Sequence, residues 1–251
     1  MKIGYLSDIH IDFYVKLNKE KRLEDFIRSL EPTYYDILII AGDIGHYNHQ
    51  NIALLRFFKE YATNLVVTLG NHEFYLVSDR MKKKYRRSSL QKVEEFKRLC
   101  QTSDIILLDM EVIDIGGVRI GGGYLWYDLQ KVDKEFWKKH ISDAKYVYLD
   151  YQAYTKRALH ALRQISDCHI FISHIPQTKV SPLLPPHFDT SYLPFYEEEN
   201  IAILQDKGVR YHIYGHNHTQ GKFLKEGIWC LTCSLGYPNE NLPKKIDSFT
   251  L

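Results

Sequence analysis

Short, nearly continuous apolar segments recur along the chain, and polar residues follow each of them directly. Three such segments come early, at residues 2–7, 36–41 and 64–69. Apolar runs of this length are typical of strands that are covered on both faces of a sheet. The stretches between them, residues 19–30 and 51–61, carry apolar residues at helical spacing. This alternation predicts strand–helix–strand units with right-handed crossovers, and therefore a largely parallel sheet.

The second half of the chain is predicted to contain shorter strands and two hairpins. Further strands are predicted over residues 104–109, 111–115, 118–122, 169–173 and 210–214. Gly116 and Gly117 join two of these strands, which is typical of a β-hairpin. Residues 221–235 should form a second hairpin, and a helix is predicted from Tyr154 to Ile165. Together these elements predict one mixed α/β domain with two sheets over residues 1–251.

Two segments interrupt this pattern. Residues 175–196 contain five of the eight prolines, which indicates an irregular loop. The loop directly follows His174, so we expect it to form a rim over a site. Its candidate ligand contacts are His187, Phe188, Tyr192 and Phe195. Residues 80–87 are densely basic, and they form either a solvated face or a surface that attracts a polyanion such as nucleic acid.

Composition and charge indicate an ordinary globular protein. The chain has 33 basic and 31 acidic residues and a net charge of +2, so no global charge favours nucleic acid or a membrane as partner. We see no signal peptide and no segment apolar enough to span a bilayer, which leads us to expect a soluble cytoplasmic protein. Cys230 and Cys233 form a C-x-x-C without a second such pair, so the four cysteines are expected to be buried structural thiols.

The polar residues that follow the strands are of the kinds that bind metal ions. Five predicted strands end in such side chains, namely Asp8 with His10, Asp43, Asn71 with His72, His174, and His216 with His218. Ligands of open α/β sheets bind outside the carboxyl ends of the strands. Imidazole and carboxylate suit Mn, Fe, Zn and Co, and one ion would not need so many ligands. Two ions sharing a bridging carboxylate would use them, and such a pair catalyses displacement at phosphorus without a Ser or Cys nucleophile.

These motifs, taken in order, resemble one known superfamily. The set D-I-H (8–10), G-D (42–43), G-N-H-E (70–73), S-H (173–174) and G-H-N-H (215–218) resembles the calcineurin-like metallophosphoesterases and spans nearly the whole chain. The resemblance implies a four-layer αββα sandwich of two mixed sheets, with a dinuclear centre at the strand ends. The second Asp and the Arg of the G-D-x-x-D-R-G motif of protein Ser/Thr phosphatases are missing after Asp43. Residues 117–128 resemble instead a bacterial single-domain branch.

The resemblance also implies a role for each residue. Asp8, His10 and His218 would bind the first ion, Asn71, His174 and His216 the second, and Asp43 both. A hydroxide that bridges the two ions would attack phosphorus in line. His72 would stabilise the charge of the phosphate and protonate the leaving oxygen, while Glu73 would accept a hydrogen bond from His72 and raise its pKa. Two divalent ions are therefore the expected cofactor, Mn in vitro, with Fe, Zn or Co accommodated by the same ligands.

Three residues are candidate substrate contacts. His46 and Asn48 follow Asp43 on a loop and could reach phosphate or leaving group, or simply face water. Trp126, with Tyr124 and Tyr127, could form an aromatic wall for a planar group, or pack in the core. We predict a phosphodiesterase or phosphatase for a small or nucleotide-like substrate. The alternatives are a nuclease or an end-processing phosphatase of nucleic acid, and a non-catalytic metal-binding scaffold; the sequence leaves oligomeric state open.

Overall fold

The chain folds into two β-sheets that pack face to face, with helices on their outer faces. The computed structural model describes residues 1–16 and 19–251. The strands are β1 (Lys2–Leu6), β2 (Tyr35–Ala41), β3 (Ala62–Thr68), β4 (Ile106–Leu107), β5 (Glu111–Ile115), β6 (Val118–Gly122), β7 (Ile170–Ile172), β8 (Tyr211–Tyr214), β9 (Gln220–Lys225), β10 (Ile228–Cys233) and β11 (Asp247–Thr250).

The helices cover both outer faces and the segments between strands. They are α1 (Ile11–Tyr14), α2 (Glu20–Arg28), α3 (Asn48–Lys59), α4 (Asp79–Lys84), α5 (Ser89–Thr102), α6 (Lys134–His140), α7 (Asp143–Tyr146), α8 (Tyr151–Gln164), α9 (Leu193–Tyr196) and α10 (Ile201–Asp206). Short 3-10 turns lie at His72–Phe74, Ser181–Leu183 and Thr190–Tyr192. None of the helices in residues 1–16 and 19–251 is long and apolar enough to cross a bilayer.

Both sheets are mixed, with parallel strands in the middle. The first sheet has the order β11-β1-β2-β3-β4, and only the edge strand β11 runs antiparallel to its neighbour. The second has the order β5-β6-β7-β8-β10-β9, in which β6, β7, β8 and β10 are parallel and the two edge strands pair antiparallel. Both predicted hairpins are therefore present, as β5–β6 and β9–β10.

Three hydrophobic clusters separate four layers. Between the sheets, residues such as Ile37 and Ile39 of β2 pack with Ile172 and Ile213 of the second sheet. The alternate residues of β2 and β3 face α2, α3 and α5 in a second cluster. The other face of the second sheet packs on α8 and α10 in a third cluster. Because central strands bury both faces, their sequences are apolar without alternation. The predicted four-layer αββα fold is confirmed.

Several element boundaries differ from the sequence prediction for local reasons. The helix predicted from Tyr154 begins at Tyr151, where the Asp150 carboxylate caps it by accepting from the Ala153 N–H. The strand predicted over 104–109 is only Ile106–Leu107. Helix α5 and the edge strand β11 were not predicted. All four cysteines are buried and free, as expected.

Candidate metal centre

The predicted ligand residues follow strands that are neighbours within each sheet. Asp8, Asp43 and Asn71 come after β1, β2 and β3, and His174 and His216 come after β7 and β8. A β-bridge between Ser7 and Ser234 joins the ends of β1 and β10, so the two sheets meet at this edge. The carboxyl ends of five parallel strands are thereby brought to one place, as expected for a ligand site of an α/β fold.

Five of these residues have an unusual backbone conformation. The φ angles of Asp8, His10, Asp43, His216 and His218 are 51°, 47°, 54°, 77° and 48°. This left-handed region is unfavourable for residues with a side chain, although Asp and His enter it more readily than most. Backbone strain of this kind is concentrated at functional sites. Here it turns successive side chains at the strand ends inward to one centre.

The side chains form three overlapping groups that could hold a metal ion, namely the two clusters described next and a third group of His10, Asp43 and His72 that shares one residue with each of them. In the first, formed by Asp8, His10 and His218, the Nε2 atoms of the two histidines are 3.0 Å apart. In the second, formed by Asp43, His174 and His216, His174 Nε2 lies 3.2 Å from Asp43 Oδ2 and 3.3 Å from His216 Nδ1. Ligand atoms about 2.1 Å from a tetrahedral or octahedral ion lie about 3.0–3.5 Å apart. The spacing therefore fits metal coordination.

Asn71 and Asp43 complete and connect the two clusters. Asn71 Oδ1 lies 3.1 Å from His174 Nε2, which adds an amide oxygen to the second cluster. Asp43 Oδ2 lies 3.2 Å from His174 Nε2 in the second cluster and 3.9 Å from His10 Nε2 in the first. A single carboxylate oxygen thus faces both clusters, which is the position of a bridging ligand.

The opposite nitrogen of three histidines is held by the protein, which fixes the tautomer. His174 donates from Nδ1 to the Ala41 carbonyl at 2.8 Å, and His216 donates from Nε2 to the Phe195 carbonyl at 3.0 Å. His218 Nδ1 is 2.7 Å from a Glu240 carboxylate oxygen. Such contacts orient the ring and leave the other nitrogen available to an ion. Glu240 thus orients the ring of His218, a role that was not predicted from the sequence.

Two oxygen ligands are oriented in the same way. Asp8 Oδ2 accepts from the hydroxyls of Ser7 and Ser234 at 2.6 and 2.7 Å, so Oδ1 faces the cluster. The Asn71 amide donates to Asp143 Oδ1 at 2.9 Å, so its oxygen points to His174. Asp143 is buried and also accepts from the Tyr75 hydroxyl at 2.5 Å. Asp143 was not predicted, because nothing in its local sequence indicates contact with Asn71.

The buried carboxylates of the centre need positive charge close to them. Burial alone would raise the pKa of Asp43, but the imidazoles of His174 and His72 hold it well below its usual value. Burial would lower the pKa of His174, but the carboxylates of Asp43 and Asp8 raise it to about 10. Two buried carboxylates among imidazoles are stable only with protons or metal ions between them.

His72 lies beside the clusters, with its Nε2 turned to them. Nε2 is 3.8 Å from Asp43 Oδ2 and 3.4 Å from the Tyr237 hydroxyl. The ring stacks on His46 at 4.7 Å and on Tyr75 at 4.5 Å between centroids. Its buried Nδ1 has no hydrogen-bond partner among the described residues. Burial lowers the pKa of His72 well below its usual value, although the Asp43 carboxylate acts against this.

The predicted contact between Glu73 and His72, and the raised pKa that it implied, are therefore wrong. The Glu73 carboxylate instead accepts from the backbone N–H groups of Asp43, Ile44 and Gly70 at 3.0, 2.9 and 2.6 Å. It is fully buried and joins the loops that follow β2 and β3. Glu73 thus holds the loop of Asp43 in place and does not orient His72.

The three predicted substrate contacts have different surroundings. Trp126 is 3% exposed and packs edge to face on Phe74 and Tyr124, so its prediction as a substrate contact is wrong. The prediction for Asn48 is wrong as well, because its buried amide donates to the Lys92 carbonyl and to Glu95. His46 stacks on the cavity-lining residues His72 and Tyr75, and its contact with substrate stays a prediction.

A cavity of about 270 Å³ opens over the clusters. Asp43, Asn71, His72, His216 and His218 form its floor. Its walls come from the predicted rim loop, through Phe188, Tyr192 and Phe195, and from Tyr75, Tyr127, Tyr196, Tyr237, Glu240 and the segment 140–143. His187 of the rim loop is exposed and does not line it. The basic residues Lys82, Lys83, Arg86 and Arg87 line a separate surface hollow.

Comparison with known proteins agrees with this fold. A family model described as calcineurin-like phosphoesterase matches residues 1–220, so the chain belongs to this family of metal-dependent phosphoester hydrolases. An uncharacterized protein of Acanthamoeba polyphaga mimivirus is 24% identical over 270 residues, which cover 95% of this chain and 92% of the viral protein. The crystal structure of a phosphopantetheinyl hydrolase from Mycobacterium tuberculosis matches the fold, with a TM-score of 0.69, 17% identity and coverage of 94% of this chain and 90% of that chain.

Proposed function

We propose that the protein hydrolyses a small phosphoester, monoester or diester, at a centre of two divalent metal ions. The observation that carries the proposal is the convergence of two clusters of His and Asp side chains on the shared carboxylate of Asp43. Bound ions in this arrangement neutralise the charge on the phosphoryl oxygens and make a bound water acidic. The donor set accepts Mn, Fe, Zn or Co.

The proposed roles follow from the atoms that face the centre. Asp8, His10 and His218 hold one ion, Asn71, His174 and His216 hold the other, and Asp43 contacts both. His72 is proposed as an acid and not as a ligand, although it could hold an ion together with His10 and Asp43, and its Nε2 faces the cavity close to the Tyr237 hydroxyl. It is therefore placed to hydrogen-bond a phosphoryl or leaving oxygen, and in its protonated form to give that oxygen a proton.

The experiment that tests this proposal compares metal-free and metal-loaded protein. Protein treated with EDTA should not hydrolyse p-nitrophenyl phosphate or bis-p-nitrophenyl phosphate, and Mn²⁺ should restore activity on at least one of them. Asp43→Asn should lose metal and activity together. Asp109→Asn is the matched control, because Asp109 lies at the surface in an ion pair with Lys97. Full activity of metal-free wild type would refute the proposal.

A substrate panel then separates the classes that the family leaves open. It includes cyclic nucleotides, nucleoside monophosphates, single-stranded oligonucleotides and a phosphopantetheinyl ester, the last because of the structural relative. A preference for oligonucleotides that falls steeply with salt would favour the nuclease alternative. The basic residues 80–87 do not support the nuclease alternative, because those that line the surface hollow lie outside the cavity over the metal centre. The alternative of a non-catalytic metal-binding scaffold is disfavoured, because each of the proposed ligand positions and His72 is present.

A further inference from the structure

The cavity over the metal centre contains no Lys or Arg among its described lining residues. Its charged members are the carboxylates of Asp43, Asp143 and Glu240, and its remaining titratable groups are imidazoles and tyrosines. Asp43 and Asp143 are buried, while Glu240 is about one third exposed at the side of His218. Apart from the proposed ions and the imidazoles, no lining side chain carries a positive charge, and an unpaired anion is costly to bury.

The walls are aromatic instead. Seven aromatic residues line the cavity, and four of them, Phe188, Tyr192, Tyr196 and Tyr237, are partly exposed. Tyr196 packs edge to face with Tyr192 and Phe188 at 6.1 and 5.6 Å between centroids. Edge-to-face pairs leave ring surface free for a further ring. The described wall residues therefore offer stacking surface but no Lys or Arg.

This aromatic surface begins next to the proposed ligands. Tyr196 lies 5.1 Å from His216 and Tyr237 lies 4.5 Å from His10, measured between ring centroids. A phosphoryl group at the metal centre would therefore have its ester substituent within reach of these rings. The volume of about 270 Å³ lies slightly below the usual range for ligand pockets, which limits that substituent to a small group.

From this lining we infer the substrate class: a phosphoester with a single phosphoryl group attached to a flat, uncharged aromatic group. The inference rests on the proposed function and narrows it. It disfavours substrates with several phosphates and nucleic acids, since their further charges would meet tyrosines and Glu240. It favours aryl esters and other esters that place one planar ring against Phe188 and Tyr192.

Direct binding to Mn²⁺-loaded protein tests the inference without relying on turnover. The probes are methylphosphonate, phenylphosphonate and 4-carboxyphenylphosphonate, which differ by one ring and then by one charge, and titration calorimetry gives their affinities. Phenylphosphonate should bind about tenfold more tightly than methylphosphonate, as expected for one stacked ring. The added carboxylate should weaken binding about tenfold, because it meets no cation.

Substitutions of the aromatic residues that line the cavity should change the relative affinities for the three phosphonates. Tyr192→Ala and Phe188→Ala should each reduce the preference for phenylphosphonate to about two- or threefold, while Tyr192→Lys should raise the affinity for the carboxylated probe. Tyr34→Ala is the matched control, because Tyr34 is 61% exposed and does not line the cavity. It should bind the three probes as the wild type does.

The outcomes separate this inference from the proposed function. Equal affinity for the methyl and phenyl probes, tighter binding of the carboxylated probe to wild type, or no phosphonate binding would overturn the inference. Hydrolysis of p-nitrophenyl phosphate or bis-p-nitrophenyl phosphate with Mn²⁺ would in that case leave the proposed function standing. Full activity without metal would instead refute the proposed function, whatever the probes do.

Discussion

The ring of His72 is held by stacking on His46 and Tyr75, and its Nδ1, like that of His10, accepts or donates no hydrogen bond among the described residues. We predict that His72→Ala lowers kcat by about 10²–10⁴-fold, the usual contribution of a positioned acid or base. Two metal ions should remain bound, because the ligand set proposed above does not include this ring. Steady-state kinetics and metal analysis on the same sample measure both effects. His160→Ala, at an exposed position of α8, serves as control, and loss of an ion would mean that His72 is a ligand.

Glu73 shows how one buried carboxylate can act through the backbone. Glu73→Gln keeps the shape but turns an N–H₂ group toward backbone donors that now point at an oxygen. We predict a loss of about 2–3 kcal/mol in the free energy of unfolding, measured by urea denaturation. Glu60→Gln, at an exposed position, should change it little. Unchanged stability together with a large loss of turnover would instead support the original view that Glu73 orients His72.

The ligand residues could be predicted from the sequence because each directly follows an apolar strand. The environment of Glu73 could not, because its partners are backbone N–H groups, and those of Asp43 and Ile44 lie about 30 residues earlier in the chain. Asp143 is separated from Asn71 by 72 residues, and only the folded chain brings them together. The sequence left two interpretations of Trp126 open for a related reason, because an aromatic residue near a site has the same sequence pattern whether it faces the cavity or, as Trp126 does, the core.

At the level of elements, the loops after β2 and β3 touch at Gly70. A Cβ at Gly70 would overlap Asp43 Oδ1 and lie 2.5 Å from the Asp43 nitrogen. We predict that Gly70→Ala displaces Asp43 and removes both ions, which metal analysis would detect. Gly227→Ala is the control, because a Cβ there meets nothing within 4 Å although its φ is 80°. It should cost about 1 kcal/mol of stability and leave both ions bound, and retention of metal by Gly70→Ala would contradict the prediction.

His212 of β8 connects this strand to β7 and to the start of the rim loop. Its two hydrogen bonds require one neutral tautomer of the ring. Its Nδ1 donates to the Phe171 carbonyl and its Nε2 accepts from the Gln177 N–H. Burial lowers the pKa of His212 to about 4, against about 6.5 in an unfolded chain. As the pH falls, the unfolded state therefore binds a proton at His212 before the folded state does. The stability contributed by neutral His212 is fully present above pH 6.5 and is lost as the pH falls to about 4.

The protonation of His212 should therefore lower the free energy of unfolding by about 3 kcal/mol as the pH falls through this range. Urea denaturation in EDTA at pH 7.5 and 4.5 measures it. His212→Gln should show a smaller difference between the two pH values than wild type, whereas exposed His160→Gln should behave as wild type. An equal pH dependence in His212→Gln and wild type would show that His212 contributes nothing to acid sensitivity.

Some strands could be predicted from the sequence more accurately than others. The central strands are apolar on both faces, so β1, β2 and β3 were predicted nearly to the residue. Edge strand β11 alternates between half-buried and exposed residues over only four positions, too few to distinguish it from a loop. The strand predicted over 104–109 was shortened because Asp104 has a φ of 52°, which takes it out of extended geometry.

On the scale of the whole molecule, the metal centre connects the two sheets, since Asp8, Asp43 and Asn71 follow one sheet and His174, His216 and His218 follow the other. Ions bound there act only on the folded state and should stabilise it by about 2.7 kcal/mol per site at a hundredfold excess over Kd. We predict that Mn²⁺ raises the free energy of unfolding and that EDTA reverses the gain. Asp43→Asn should abolish the difference, whereas Asp109→Asn should retain it. If Mn²⁺ left the wild-type unfolding free energy unchanged, the ions would not be joining the two sheets.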